Sequence, residues 1–352
     1  MSKIRVLVVD DAVIGRRFLS EALSGDDAIE VIGTASTGRI ALGRIPQLNP
    51  DLVTLDVEMP EMDGLKTLAA IRQSYPRLPV IMVSALTQRG AEATTEALLL
   101  GANDYVAKPT ATSVNETLER LRTDLVPKIK ALCAKPIPIA ALKPTPILKV
   151  SPVSDRREAI EIVAIGISTG GPNALAVLIP SLPKDLPFPI VIVQHMPPVF
   201  TMSLATRLAA RSAIRVNEGF DGAVLHPGQV WIAPGDYHME LFREKGSVRL
   251  RMHQGPQENS CRPSADVLLR SVAEIYGAGA LAIIMTGMGQ DGQNGCECIR
   301  KAGGQVWAQD EASSVVWGMP GNVVRANLAN KVLALQDLGP EIVNVGGAEC
   351  PR

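Results

Sequence analysis

Short apolar runs alternate with helix-forming stretches along almost the whole chain, and this alternation limits the possible fold more than any other feature. In the first third of the sequence, the helical stretches begin near positions 13, 38, 64, 89 and 113. The apolar runs cover residues 4–9, 29–34, 52–55, 80–83 and 105–107. Strands that are joined through helices pair in parallel, so the pattern predicts a five-stranded parallel sheet with helices on both faces.

The second half repeats the alternation after a proline-rich stretch. Prolines at positions 127, 136, 138, 144, 146 and 152 predict an extended linker instead of a helix. Beyond them, strand-like runs cover residues 162–167, 190–193, 230–233, 281–285 and 305–308. We therefore predict two doubly wound α/β domains, with some antiparallel strand near residues 237–253. The predicted boundaries are 1–126 for the first domain, 127–157 for the linker and 158–345 for the second domain.

The composition argues against several classes of protein. The formal net charge is −1 and the basic residues are dispersed, which predicts no nucleic-acid partner. The first apolar run is short and ends at Asp10, as in a buried strand, and no run reaches the about 18 residues of a membrane span. Five scattered cysteines do not form a disulfide framework, so we expect a cytoplasmic protein with free thiols: Cys133, Cys261, Cys296, Cys298 and Cys350.

Acidic residues end two of the predicted strands in the first domain. Asp10 and Asp11 end the first strand, and Asp56 ends the third. At the same edge of the sheet, Ser84 ends the fourth strand and Lys108 follows the fifth. Three carboxylates at one edge repel one another unless a cation lies between them, and oxygen ligands favour Mg²⁺. A single acidic strand end would be only a solvated loop residue, but this set predicts a site that accepts a phosphoryl group.

The segments VLVVDDAVIGRRFL, PDLVTLDVEMPEMDG, VIMVSAL and GANDYVAKP resemble a response-regulator receiver domain over about residues 3–122. The resemblance implies a flavodoxin-like fold and phosphorylation of Asp56 by a histidine kinase. It also implies that Mg²⁺ is held by Asp11, Asp56 and the Glu58 backbone carbonyl, with Asp10 close by. Ser84 and Tyr105 would form the switch pair, and Lys108 would contact the phosphate.

In the second domain, the segment IVAIGISTGGP is an apolar strand that turns sharply into a helix through glycines. Ser168 lies in this turn, where backbone N–H groups and a helix N-terminus can stabilise an oxyanion. By itself the segment is more typical of a tight turn or a phosphate-binding loop than of a catalytic serine. A dinucleotide site is disfavoured, because GISTGG lacks the middle glycine of the fingerprint and the next strand ends in Gln194 and His195.

A serine nucleophile needs a base and a group that orients the base. His195 ends the strand-like run after the serine turn, so the two can meet across neighbouring strand ends. Asp291 follows another long apolar run, LAIIMTGMGQDG, whose glycine-rich turn offers free N–H groups near Met288. The chain order is Ser, His, Asp, whereas an α/β-hydrolase has Ser, Asp, His.

The segments IGISTGGP, VIVQHMPPVFTMSLATRL, WIAPGDYH, RPSADVLLRSVA, IIMTGMGQDG and AQDEASSVVWGMP make the second domain similar to the chemotaxis protein-glutamate methylesterase family. The resemblance implies catalytic Ser168, His195 and Asp291, with Thr169 nearby and the Met288 amide in the oxyanion site. It implies hydrolysis of glutamate γ-methyl esters on methyl-accepting chemoreceptors, and deamidation of receptor glutamines, without a cofactor. Mg²⁺ would serve only the phosphorylation of the receiver.

Cys261 departs from the family pattern, because relatives often have histidine just before the Arg-Pro pair. We expect Cys261 at the lip of the substrate cleft. Two alternatives stay open at this point. The second domain could be a non-catalytic module that binds a ligand or partner through its glycine loop, or it could be a hydrolase with another substrate.

Overall fold

The computed structural model describes residues 3–109, 113–134 and 159–347. The N-terminal part forms a parallel sheet in the strand order β2-β1-β3-β4-β5, which is the flavodoxin-like order. Its elements are β1 (Ile4–Val9), α1 (Val13–Ser24), β2 (Ile29–Ala35), α2 (Gly38–Leu48), β3 (Leu52–Asp56), α3 (Gly64–Ser74), β4 (Val80–Ser84), α4 (Gln88–Leu99), β5 (Asp104–Ala107) and α5 (Val114–Cys133).

The C-terminal part forms a second parallel sheet, in the order β14-β13-β12-β6-β7-β9-β8. Its elements are β6 (Ile162–Ile167), α6 (Gly171–Leu178), β7 (Ile190–Gln194), α7 (Phe200–Ala209), β8 (Arg215–Glu218), β9 (Gln229–Ile232), β10 (His238–Glu244), β11 (Ser247–His253), α8 (Ala265–Tyr276), β12 (Ala280–Ile284), α9 (Gln293–Lys301), β13 (Gln305–Gln309), α10 (Met319–Arg325), β14 (Lys331–Leu333) and α11 (Leu335–Val345). The chain first adds strands on one side of β6 and later on the other. The topological switch point therefore lies at β6, where ligand sites form in open α/β sheets.

The prediction of two parallel-sheet α/β units is confirmed. All ten predicted strands are present, and the antiparallel prediction corresponds to the hairpin of β10 and β11. Two short strands, β8 and β14, were not predicted, because both are edge strands whose side chains are mostly not buried. None of the helices in the described ranges has the length and apolarity that a membrane crossing needs.

Helix α5 corrects the predicted start of the linker. The helix continues through Pro127 and ends at Cys133, although proline was expected to end regular helix there. Pro127 removes one hydrogen bond from the helix, at a cost of about 3 kcal/mol. Packing offsets this cost, because the same helix buries Leu121, Leu125 and Ile129 against the first sheet. The rest of the predicted linker, residues 135–157, lies outside the described residues.

The two parts of the chain pack against each other through helix α4, which contacts α6 and α7. The ring of Tyr105 at the end of the first sheet stacks on the ring of Phe200, with centroids 4.7 Å apart. The Asn173 side-chain amide donates a hydrogen bond of 2.8 Å to the Ala102 carbonyl oxygen. Tyr105 and Phe200 belong to one buried apolar cluster that includes side chains of both sheets.

We expect Pro127→Ala to stabilise the N-terminal part by about 1–3 kcal/mol, because alanine restores an N–H and removes a steric clash within a helix. Urea unfolding of the full chain measures this change. Leu121→Ala serves as the reference, because it opens a cavity under α5 and must lower the midpoint of the same transition. An unchanged midpoint for Pro127→Ala would mean that α5 ends before residue 127.

Candidate active site and acidic site

The turn between β6 and α6 holds Ser168 in a fixed backbone position. The Ser168 N–H donates to the Thr286 carbonyl (3.0 Å), and the Ser168 carbonyl accepts from the Gln194 side-chain amide (3.0 Å). Gly170 has φ +77°, a conformation that favours glycine. Gly287 lies so close that a Cβ there would be 2.8 Å from the Ser168 Cβ. The serine is therefore enclosed between two strand-to-helix turns, those after β6 and β12.

His195 lies directly beside this turn. Strands β6 and β7 are neighbours in the sheet, and the His195 N–H donates to the Ile167 carbonyl (3.1 Å). The His195 Nε2 atom is 2.8 Å from the Asp291 Oδ2 atom. An ionised carboxylate only accepts hydrogen bonds, so Nε2 carries the proton and Nδ1 carries the free lone pair. The histidine therefore offers Nδ1 as its basic atom.

The Asp291 carboxylate lies at the beginning of helix α8 and accepts several hydrogen bonds there. The donors are the Ser264 hydroxyl (2.7 Å), the Ala265 N–H (2.6 Å), the Asp266 N–H (3.2 Å) and the Asn259 side-chain amide (3.0 Å). Burial by itself would raise the pKa of Asp291, but His195, the Ser264 hydroxyl and the Ala265 N–H lower it to about 2. The carboxylate is therefore ionised at neutral pH.

The Asp291 charge in turn acts on His195. Burial by itself would lower the pKa of His195, but the hydrogen bond to the ionised Asp291 raises it above its usual value. The Asp291 charge stabilises the imidazolium that forms when His195 takes a proton. The raised pKa expresses this stabilisation and makes the imidazole a stronger base. The hydrogen bonds among the described residues include none between the Ser168 hydroxyl and His195. Such catalytic hydrogen bonds often form only in the complex with substrate.

Two backbone N–H groups beside Ser168 are available to a negatively charged oxygen. Within the described part of the chain, the N–H groups of Thr169 and Met288 donate to no other hydrogen bond. The turn that carries Met288 is held on both sides: the Gly287 N–H donates to the Val316 carbonyl (2.9 Å), and the Asn322 amide donates to the Gly289 carbonyl (2.7 Å). Fixed, unused donors of this kind fit an oxyanion site.

The acidic residues of the first sheet also lie together. Side-chain oxygens of Asp10, Asp11 and Asp56 lie within 4.8 Å of one another. The Lys108 Nζ atom is 2.6 Å from the Asp56 Oδ2 atom and 3.0 Å from the Asp10 Oδ2 atom. Burial is the main cause that raises the pKa of Asp56 to about 6, while Lys108 lowers it and Asp10 raises it. A set of oxygen ligands with excess negative charge fits a hard cation such as Mg²⁺.

The other predicted receiver residues surround this cluster. The Glu58 N–H donates to the Asp56 Oδ1 atom (3.4 Å), so the Glu58 backbone borders the site, while its side chain is exposed. The buried Ser84 hydroxyl donates to the Gly90 carbonyl (3.2 Å) at the start of α4. Tyr105 is buried in the stack with Phe200 and does not lie in the acidic cluster. Of the predicted switch pair, Tyr105 therefore contacts helix α7 of the second domain, and Ser84 contacts helix α4 of the first.

Three residues make contacts with the His–Asp pair that the sequence reasoning did not predict. Asn259 and Ser264 bind Asp291. Ser264 lies within the RPSADVLLRSVA segment and Asn259 just before it, but nothing in that segment points to a contact with Asp291. Cys261 was expected at the lip of the substrate cleft. Its sulfur lies 3.7 Å from the His195 Nδ1 atom, so Cys261 also contacts the base.

Comparison with known proteins identifies both parts of the chain. The family model "CheB methylesterase" matches residues 163–342, and the model "Response regulator receiver domain" matches residues 6–121. A protein-glutamate methylesterase/protein-glutamine glutaminase of Trichodesmium erythraeum is 53% identical over 348 residues, which are 97% of this chain and 99% of that protein. A Nocardioides protein of the same name is 48% identical and covers 97% of this chain and 95% of its own length.

A solved structure supports the same assignment. The crystal structure of the Thermotoga maritima CheB methylesterase catalytic domain matches with a TM-score of 0.52 and 43% identity, over 53% of this chain and all of that chain. The chain therefore belongs to the CheB methylesterase family and carries a response-regulator receiver domain ahead of the methylesterase domain.

Proposed function

We propose that this chain is a phosphorylation-controlled protein-glutamate methylesterase that also deamidates glutamine side chains. The similar proteins from Trichodesmium erythraeum and Nocardioides are named for both activities, methylesterase and glutaminase. The observation that carries the proposal is the bond between His195 and Asp291 beside the Ser168 turn, which supplies a base next to a candidate nucleophile. A hydrolase requires such a base beside its nucleophile, whereas a non-catalytic binding module does not. The arrangement therefore argues against the binding module.

The proposed reaction is an acyl transfer in two stages. The Ser168 oxygen attacks the γ-carbonyl carbon of a glutamate methyl ester, and its proton moves to the His195 Nδ1 atom. The N–H groups of Thr169 and Met288 stabilise the negative carbonyl oxygen of the tetrahedral intermediate. His195 then gives its proton to the leaving methoxide, and methanol departs. Water, activated by the same nitrogen, hydrolyses the acyl-enzyme to glutamate.

The same groups can deamidate glutamine. The amide nitrogen takes the proton from His195 and leaves as ammonia instead of methanol. The tetrahedral intermediate and the oxyanion are the same in the two reactions, so no further residue is required. Asp291 acts throughout by holding His195 in one orientation and stabilising its charged form.

The acidic site is proposed to receive the controlling phosphoryl group. Asp56 is the acceptor, Lys108 lies against its oxygen, and Asp10, Asp11, Asp56 and the Glu58 backbone carbonyl would hold Mg²⁺. The bound cation would neutralise charge on the phosphoryl oxygens. A chemotaxis histidine kinase is the proposed phosphodonor, and methyl-accepting chemoreceptors are the proposed substrates. The cytoplasm is the proposed compartment, in keeping with the free thiols of Cys133, Cys261, Cys296 and Cys298.

The contact between receiver and methylesterase domain suggests how control operates. Helix α7 follows the His195 loop and contacts helix α4 of the receiver. The Arg207 guanidinium of α7 lies 3.2 Å from the Glu96 carboxylate of α4. In the proposed control, phosphate on Asp56 changes the positions of Ser84 and Tyr105 and shifts the equilibrium away from this docked arrangement.

We expect Ser168→Ala and His195→Ala each to lower kcat on methylated receptor by at least about 10³-fold, because nucleophile and base act as a unit. Asp291→Asn should retain more activity than either of them, since it removes only the orienting charge. Release of methanol is the measurement. Ser247→Ala, on the hairpin of β10 and β11, is the matched control and should hydrolyse at the wild-type rate. Normal turnover by Ser168→Ala would refute the assignment of the nucleophile.

We expect Asp56 to take up one phosphoryl group from a small phosphodonor in the presence of Mg²⁺, and Asp56→Asn to take up none at this position. Chelation of Mg²⁺ should block the reaction, because the clustered carboxylates oppose the approach of further negative charge. Mass spectrometry of the intact protein measures the uptake. Equal phosphorylation in excess chelator would contradict the proposed role of the cation.

We expect a fragment that begins near residue 155 to hydrolyse methylated receptor faster than the unphosphorylated full chain. Phosphorylation should raise kcat/KM of the full chain and leave the fragment unchanged. In the full chain, Arg207→Ala removes the ion pair with Glu96 and should raise activity without phosphorylation. Arg211→Ala, at an exposed position just after α7, is the control and should have no effect. A fragment that is no faster than the unphosphorylated full chain would rule out inhibition by the receiver.

A further inference from the structure

A tight turn at residues 258–261 contacts both members of the His–Asp pair. The Cys261 N–H donates to the Glu258 carbonyl (2.8 Å), and the Glu258 N–H donates back to the Cys261 carbonyl (3.2 Å). Asn259 and Ser260 between them have φ of +51° and +60°, which non-glycine residues seldom adopt. The Glu258 carboxylate binds the Arg270 guanidinium with both oxygens, one of them at 2.9 Å. The turn is thus anchored to helix α8.

Asn259 binds the carboxylate end of the pair. Its side-chain amide nitrogen donates to the Asp291 Oδ1 atom (3.0 Å) and to the Asp266 Oδ2 atom (2.9 Å). Asp266 is itself buried, and its other oxygen accepts from the Gly295 N–H (2.6 Å). One amide therefore bridges two acidic side chains and fixes the Asp291 oxygen that does not contact His195.

Cys261 binds the imidazole end of the pair. Its sulfur lies 3.7 Å from the His195 Nδ1 atom, on the side of the ring away from Asp291. Because Nε2 carries the proton, the thiol donates and Nδ1 accepts. This nitrogen is the atom that must later take the proton of Ser168. The thiol therefore holds the imidazole ring at Nδ1, the basic atom. The hydrogen bond to Asp291 holds the ring at Nε2.

We propose that Asn259 and Cys261 are positioning residues that hold the Asp291 carboxylate and the His195 imidazole in their reactive arrangement. The inference rests on the proposed hydrolase function. Neither residue touches the reacting atoms of the substrate in this role. Their removal lets the carboxylate or the ring rotate, so chemistry slows while substrate binding is kept.

The test compares kcat and KM on methylated receptor for the full chain, Asn259→Ala, Cys261→Ala and Cys261→Ser. We expect kcat to fall about tenfold for Asn259→Ala and about threefold for Cys261→Ala, with KM unchanged within twofold. Cys261→Ser keeps a hydroxyl donor and should recover part of the loss. Ser260→Ala is the matched control at wild-type rate, because it lies in the same turn and its side chain makes no hydrogen bond within the described residues.

A second readout follows the ring directly. The ¹⁵N resonance of His195 Nδ1 should shift in Cys261→Ala and shift back in part in Cys261→Ser, which a merely structural role would not cause. Unchanged kcat in both alanine variants, or a rise in KM alone, would overturn the proposal. A faster Cys261→Ala would also overturn it, because the thiol would then obstruct Ser168. Circular dichroism shows whether each alanine variant is folded. If one is not, the kcat and the His195 Nδ1 resonance of Cys261→Ser test the proposal in its place.

The wild-type rate separates this inference from the function on which it rests. A wild-type chain no faster than Ser168→Ala would refute the proposed hydrolase. A wild-type chain that is active, with Asn259→Ala and Cys261→Ala equally active, would refute only the positioning role.

Discussion

One buried negative charge, the Asp291 carboxylate, is the interaction on which the candidate active site depends. Five hydrogen bonds converge on its two oxygens, from His195, the turn at residues 258–261 and the first residues of helix α8. Burial by itself raises the pKa of a carboxyl group, and the hydrogen bonds from His195, Ser264 and Ala265 reverse this shift, so that Asp291 is ionised. The N-terminus of α8 adds a favourable dipole for the same charge. The Asp291 carboxylate, the N-terminus of helix α8 and the His195 imidazole therefore form one structural unit.

The strands and the residues at their carboxyl ends could be predicted from the sequence because the signals are local. Buried parallel strands are short apolar runs, and the residue after each run falls at a known edge of the sheet. This reasoning placed Ser168, His195 and Asp291 at one edge of the second sheet, and the structure brings the last two into direct contact. It also placed Asp10, Asp56 and Lys108 together at the edge of the first sheet.

The remaining features depend on contacts between distant parts of the chain. Pro127 is an unfavourable residue within a helix, and only the packing of α5 against the first sheet keeps the helix intact beyond it. Asn259 and Ser264 lie 32 and 27 residues from the carboxylate that they bind, so no spacing in the sequence points to them. The contact of α4 with α6 and α7 joins two units that the sequence presents as separate.

The stack of Tyr105 on Phe200 has a thermodynamic consequence that works in both directions. Linkage requires that whatever shifts the balance between the docked and the open receiver does so from either partner. In the proposed control, phosphate at Asp56 favours the open form, in which the methylesterase domain is exposed. A chemoreceptor that binds in place of the receiver would favour the same open form, and it would therefore also favour phosphorylation of Asp56. The substrate would then promote the activation of the enzyme that acts on it. Enzyme molecules already bound to a receptor would be phosphorylated in preference to unbound ones.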